Sequence, residues 1–66
     1  MNLKFFRVKE GLTRSDLADL LGLDRTTIVK WETGKSYPRA DTLIKLADLF
    51  ECTIDDLLRG THAEIA

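Results

Sequence analysis

The 66-residue chain contains one cysteine, Cys52, one proline, Pro38, and few aromatic residues, which make up 8% of the sequence. A lone cysteine excludes an internal disulfide, so packing alone has to hold the fold together. No apolar run approaches the roughly 18 residues of a membrane span, and we expect no signal peptide. We therefore expect a soluble, cytoplasmic chain that forms one domain with a small core.

The net charge of −1 gives no reason by itself to expect a polyanionic partner. The charges are nevertheless unevenly distributed. Residues 1–39 contain eight cations and five anions, whereas residues 40–66 contain two cations and six anions. A surface that binds phosphates needs only a local excess of cations, which the first part of the chain can supply. Charge scattered over a solvated surface is the alternative explanation.

The spacing of apolar and capping residues predicts short helices and no strand. The first helix is predicted over residues 2–10, with Leu3, Phe6, Arg7 and Glu10 on one face. A glycine at position 11 then ends it.

A second helix is expected to begin after Thr13, which has the capping-box spacing to Asp16, and to end at Gly22. A third follows after the N-cap Asp24, with Ile28 and Trp31 pointing inward, and ends at Gly34. At this spacing Trp31 is expected to be a core residue rather than a stacking platform.

The segment 35–39 is predicted to be a loop, followed by a fourth helix over residues 40–50 with a wide apolar stripe that includes Ile44. Thr53 and Asp56 repeat the capping-box spacing and open a fifth helix through Leu58, which Gly60 stops. These elements predict an all-α bundle, with a domain over residues 1–60 and a tail over residues 61–66.

The second and third helices have the features of a helix-turn-helix. Two helices that cross steeply need a small residue at their contact, and Ala18 is placed there. The turn needs a positive φ, which Gly22 allows, and Ile28 supplies an apolar anchor on the third helix.

Short motifs lie along the chain at characteristic spacing: Gly11-Leu12-Thr13, Leu17-Ala18, Leu20-Leu21-Gly22, Thr27-Ile28, Trp31-Glu32, Gly34, Pro38, Thr42-Leu43, Lys45-Leu46-Ala47 and Asp55-Asp56-Leu57-Leu58. In these residues the chain resembles the Cro/XRE family of helix-turn-helix domains, also called lambda-repressor-like, over about residues 3–58. The resemblance implies a compact five-helix lambda-repressor-like bundle whose third helix enters the major groove of double-stranded DNA.

By position in the family, Arg25, Thr26, Val29 and Lys30 are expected to contact DNA bases. Their chemistry suits this role. Arg25 can bind guanine O6 and N7 in a bidentate contact, and the methyl groups of Thr26 and Val29 can meet a thymine methyl. The alternative is that the polar members of this set are merely solvated.

The resemblance also implies phosphate contacts from Arg14, Thr27, Lys35, Tyr37 and Arg39. Arg14 stands where the family usually has glutamine, and Arg39 stands where it often has a serine that caps the fourth helix. Both departures add a cation. Tyr37 can donate to a phosphate or can cover the indole of the preceding helix.

Arg7 and Glu32 occupy positions that in the family often hold a buried or half-buried ion pair between the first and third helices. We expect a structural ion pair here, since breaking a buried pair strands a charge. Two independent surface charges are the alternative.

No residues suggest catalysis, a metal ion or a cofactor. Cys52 and His62 are single copies without a partner at metal-ligand spacing. Asp55 and Asp56 have a capping role available and no nucleophile nearby.

Phe5 and Val8 are apolar where the family usually has charged residues. Three explanations remain open: the C-terminal tail folds over them through Ile65, they meet another subunit, or they are isolated exposed residues of an ordinary kind.

The sequence therefore predicts a DNA-binding prokaryotic or phage transcriptional regulator, a repressor, that binds a two-fold symmetric site as a homodimer. The alternative is a protein-interaction module with the same fold, such as an antitoxin-like or adaptor partner.

Overall fold

A computed structural model describes residues 1–59, which form five α-helices and contain no strand. The helices are α1 (Leu3–Lys9), α2 (Arg14–Leu21), α3 (Arg25–Glu32), α4 (Ala40–Phe50) and α5 (Ile54–Arg59). The predicted all-α, five-helix fold is confirmed. Gly60, predicted to stop α5, and the predicted tail at 61–66, with His62 and Ile65, lie outside the described residues.

Side-chain caps begin α2 and α5 as the spacing predicts. Thr13 Oγ1 accepts a hydrogen bond from the Asp16 N–H at 3.0 Å, and Asp16 Oδ2 accepts one from the Thr13 N–H at 2.9 Å. Thr53 and Asp56 make the same reciprocal pair at 3.0 and 3.2 Å. Each box satisfies two backbone donors that the helix itself leaves unpaired, so both helices begin at defined residues.

Every helix contributes one fully buried side chain to a common core. These side chains are Leu3, Leu17, Ile28, Leu46 and Leu57. Aromatic rings complete the core, which Trp31 joins as predicted, and the rings of Phe6 and Phe50 stack with their centroids 5.9 Å apart. The core is therefore one contiguous cluster that all five helices need in order to bury their apolar faces.

Two residues are exposed although each was predicted to lie on the same helix face as core residues. Glu10 follows the last residue of α1 as its C-cap and lies in solvent. Ile44 is 52% exposed although it was assigned to the apolar stripe of α4. The reason is geometric, because Ile44 lies about 200° of helical rotation from Leu46 and α4 buries only one side.

The turn between α2 and α3 contains three residues, Gly22, Leu23 and Asp24. Gly22 has φ +68°, and the N–H of Leu23 donates to the Ala18 carbonyl at 2.8 Å. The N–H of Gly22 donates to the Asp19 carbonyl at 3.2 Å. Together these bonds form a Schellman motif, which ends α2 and sets the direction in which α3 begins.

None of the helices within residues 1–59 combines the length and the apolar character that crossing a lipid bilayer requires.

We expect Gly22→Ala to lower the free energy of unfolding by about 1–2 kcal/mol, because an L side chain is strained in the left-handed region. A Cβ at this position meets no atom within 4 Å, so backbone strain is the whole cost. Gly22→Asn is the matched control and should lose less, since asparagine tolerates this conformation. Urea denaturation followed by circular dichroism measures both, and equal losses would contradict the explanation.

Candidate nucleic-acid interface

Helix α3 is held to the bundle by one face and exposes the other. Asp24 caps its start by accepting a hydrogen bond from the Thr26 N–H at 3.1 Å. Ile28 and Trp31 are buried in the core. The predicted base-contacting residues have more accessible side chains, with Arg25, Thr26 and Lys30 exposed and Val29 partly exposed. Two helical turns thus offer an uninterrupted set of small, polar and cationic side chains to a ligand.

The carboxylate of Glu32, at the end of α3, binds two arginines from two other helices. Arg7 Nε in α1 donates to Glu32 Oε2 at 2.6 Å, and Arg14 Nε in α2 donates to Oε1 at 3.0 Å. The Glu32 side chain is only 2% exposed. Arg7 also donates through Nη1 to the Leu12 carbonyl at 2.7 Å. The structure thus joins α1, α2 and α3 through one buried anion.

The two arginines determine the ionisation of Glu32. Burial alone would raise the pKa of this carboxyl, but the hydrogen bonds from Arg7 and then Arg14 outweigh it and hold the pKa below its usual value. Glu32 is therefore an anion at neutral pH. Because two cations meet one anion, this cluster carries one net positive charge.

Arg14 has a second partner that its predicted phosphate role did not include. Its side chain remains 41% exposed while its Nε is bound to Glu32. Sequence reasoning missed this contact because Arg14 replaces the glutamine that the family usually has, so the motif indicated no partner for it. Since the guanidinium has further N–H donors, the carboxylate can hold Arg14 while other donors face outward.

A shallow basic groove runs from the end of α1 past the start of α2 to the start of α3. Its lining residues are Arg7, Val8, Gly11, Leu12, Thr13, Arg14, Ser15 and Arg25. Ser15 was not predicted as a site residue, and its only signal is its place in the first turn of α2. The groove brings three arginines together, of which Arg7 and Arg14 share the carboxylate of Glu32, so its lining carries a net positive charge that suits an anion.

The remaining residues predicted to contact phosphates lie on several segments. Thr27 is partly buried in α3, and Lys35 is exposed just after it, with its backbone N–H bonded to the Lys30 carbonyl at 2.9 Å. Tyr37 is 63% exposed, so it does not form part of the core. Arg39 precedes α4 without making a side-chain cap, as its replacement of the usual serine suggests.

The profile of the helix-turn-helix family matches residues 3–57. The chain belongs to this family. The matched residues span the first four helices and the first four of the six residues of α5, so the match includes every residue of the buried core.

Several curated helix-turn-helix proteins resemble the chain. It is 43% identical to the transcriptional activator BcrR of Enterococcus faecalis over 58 residues. The aligned residues are 88% of this chain and 28% of that protein. It is 40% identical over 62 residues to the SPbeta prophage-derived regulator YonR of Bacillus subtilis, covering 94% of this chain and 57% of that protein. The cryptic phage CTXphi transcriptional repressor RstR of Vibrio cholerae is 38% identical to the chain over 45 residues. These residues are 68% of this chain and 40% of that protein.

The chain therefore spans between 28% and 57% of the length of these relatives. No solved structure shows significant similarity to it.

Within residues 1–59, no group of three or more histidine, cysteine, aspartate or glutamate side chains is arranged so that it could bind a metal ion.

We expect Glu32→Gln to destabilise the fold by about 3 kcal/mol or more, because it leaves the buried charge of Arg7 without a counterion. Asp55→Asn is the matched control. It removes an exposed i,i+4 ion pair with Arg59 at 2.8 Å, which should cost less than about 0.5 kcal/mol. Chemical denaturation measures the free energy of unfolding of both variants. Similar decreases would show that the Glu32 contacts contribute no more to stability than an exposed ion pair.

Stability should fall as the pH drops below about 4, the range in which unfolded carboxyls take up protons. Hydrogen bonds from Thr13 lower the pKa of Asp16, and bonds from Thr26 lower that of Asp24, as the arginines do for Glu32. A carboxyl with a lowered folded-state pKa contributes stability above its unfolded pKa and loses it as the pH falls through the folded value. Thermal unfolding between pH 7 and 2 should show this loss. It should be smaller in Glu32→Gln, and identical pH profiles would contradict the assignment.

Proposed function

We propose that this chain binds double-stranded DNA in a sequence-specific manner as a prokaryotic or phage transcriptional regulator, with α3 in the major groove. The observation that carries the proposal is the division of α3 into a buried face, with Ile28 and Trp31, and an outward face on which Arg25, Thr26 and Lys30 are exposed and Val29 is partly exposed. A B-DNA major groove, about 12 Å wide, admits one helix of this kind.

Four side chains on this face are proposed to read bases. Arg25 begins α3 and is exposed, so its guanidinium is free to bind guanine O6 and N7. Thr26 and Val29 offer methyl groups to thymine, and Lys30 reaches a base or a phosphate one turn later. The N-terminal residues of a recognition helix are those that come closest to base edges, which supports the assignment.

The rim of this face is proposed to bind phosphates through Arg14, Thr27, Lys35, Tyr37 and Arg39. Among these side chains, Arg14 is expected to lose the least conformational entropy when a phosphate binds, because its guanidinium is already bound to Glu32. Lys35 is an exposed cation, and the Arg39 side chain is 89% exposed although its Nε lies 3.9 Å from Asp41 Oδ1, so both are able to contribute through counterion release.

One recognition helix reads only a few base pairs, so we propose that two copies bind a two-fold symmetric site with half-sites about 34 Å apart. Occupying such an operator would repress transcription by excluding polymerase. The relatives include both a transcriptional repressor and a transcriptional activator. Binding to chromosomal DNA would place the chain in the cytoplasm, and the proposed activity is binding rather than catalysis.

Binding-site selection from a random DNA pool, followed by gel-shift titration, tests the proposal. Arg25→Ala should change the preferred base at one position of each half-site, a difference of about 1–3 kcal/mol in discrimination. Lys35→Ala should instead weaken binding to all sequences and reduce the slope of log K against log salt by about one. Lys45→Ala is the matched control. It removes an exposed lysine of α4 that lies outside the proposed surface, so neither quantity should change.

One result would contradict the base-reading role of Arg25, and another would contradict DNA binding itself. An equal loss on every sequence for Arg25→Ala would overturn its base-reading role. No binding of the unaltered chain to any DNA at low salt would reject DNA binding and favour the protein-interaction module. Lys35 is preferred to Arg14 for the salt test because removing Arg14 also deprives Glu32 of a partner.

A further inference from the structure

The outer side of α1 carries a small apolar surface with a basic rim, which the DNA proposal does not use. We call it the α1 patch, and its residues are Asn2, Lys4, Phe5, Val8 and Lys9, which line one shallow depression. Val8 is 57% exposed, and Phe5 is partly exposed. Both residues were left without an explanation by the sequence, and the structure places them together.

The apolar floor of the α1 patch packs on the core. The Phe5 ring meets the Phe6 ring edge-to-face with centroids 5.2 Å apart, and Phe6 in turn stacks on Phe50 in the core. Phe5 is therefore held in place from below. A preformed surface of this kind loses little conformational entropy when a ligand covers it.

The two charged residues that line the α1 patch are both cations. Lys4 and Lys9 are exposed, and no carboxylate lines the depression. Neither lysine forms an ion pair with another of the residues 1–59. A ligand that brings carboxylates would thus find two free cations beside an apolar floor.

A buried hydrogen-bond donor lies at the edge of the same surface. The backbone N–H of Asn2 donates to the Leu57 carbonyl at 2.6 Å, which holds the residue in place. Its side-chain amide nitrogen is buried and has no hydrogen-bond partner within the described chain. An unpaired buried donor costs about 1–3 kcal/mol, so an outward rotation of the amide that brings this nitrogen to an acceptor oxygen of a ligand would remove that cost.

These charges disfavour a second copy of the same face as the occupant. A two-fold contact would bring each lysine against the lysines of the other copy, which is unfavourable without an intervening anion. The occupant has to bring aliphatic side chains for Phe5 and Val8, carboxylates for the lysines, and a carbonyl oxygen for Asn2. We propose that the α1 patch binds a polypeptide segment of a partner protein in which aliphatic residues are flanked by glutamate or aspartate.

This binding surface adjoins the basic groove, because Val8 lines both. The proposal does not depend on DNA binding, since the α1 patch and the outward face of α3 contain no residue in common. Failure of one proposal therefore leaves the other intact.

The test uses the full chain labelled with ¹⁵N and a short acetylated, amidated peptide with two leucines flanked by glutamates. Saturable shifts of the backbone amides of residues 2–9 are expected. The same peptide with lysine in place of each glutamate is the ligand control and should not bind. Lys9→Glu should raise the peptide Kd about tenfold or more by replacing an attractive charge with a repulsive one, whereas Lys45→Glu, the matched control, should leave it unchanged.

A second pair of variants tests the apolar floor. Val8→Asp should abolish peptide binding, and Leu20→Asp, at a site with a nearly equal exposure of 58%, should not. Retained chemical shifts of the core amides show that each variant folds.

Several results would overturn the proposal. Absence of saturable shifts in residues 2–9 would do so, as would equal binding of the lysine peptide or equal effects of a variant and its control. If Ile65→Asp by itself shifts the amides of the α1 patch and strengthens peptide binding, the patch is covered by the chain's own residues. A dimer in sedimentation that Val8→Asp dissociates would identify a second copy as the occupant.

Discussion

The contact between one buried carboxylate and two arginines helps to fix how α3 presents its outward face. Glu32 lies at the end of α3, while Arg7 and Arg14 come from α1 and α2, so a single anion joins three helices. A domain this small buries few apolar side chains, so its free energy of unfolding is small. The orientation of α3 relative to α1 and α2 therefore depends on this contact as well as on the core.

The same contact links structure to the proposed binding of phosphate. A buried ion pair contributes little net stability, because desolvation offsets the Coulomb attraction, but it strongly disfavours arrangements that separate its members. Here one anion serves two cations, and the partly exposed Arg14 carries the excess positive charge towards the basic groove. The cluster thus fixes the fold and prepares one of its members for an anionic ligand.

Much of the fold was predictable because the signals are local. A threonine followed three residues later by aspartate marks a helix start whatever the rest of the chain does, and both such pairs form capping boxes. Gly22 likewise marks the turn before α3, because few other residues adopt its positive φ. The DNA-contacting roles of Arg25 and its neighbours remain predictions, although their exposure is consistent with them.

The sequence by itself determined the helices, the capping boxes of α2 and α5, most of the core side chains and the family, since these follow from residue type and from spacings of three or four positions. Only the tertiary structure decided that Arg14 shares Glu32 with Arg7, that Ile44 faces solvent, and that Phe5 and Val8 form one surface with Asn2 and two lysines. These facts depend on distances between helices and on which side of each helix is covered. Helical periodicity specifies a face, but the packing of the other helices decides what that face meets.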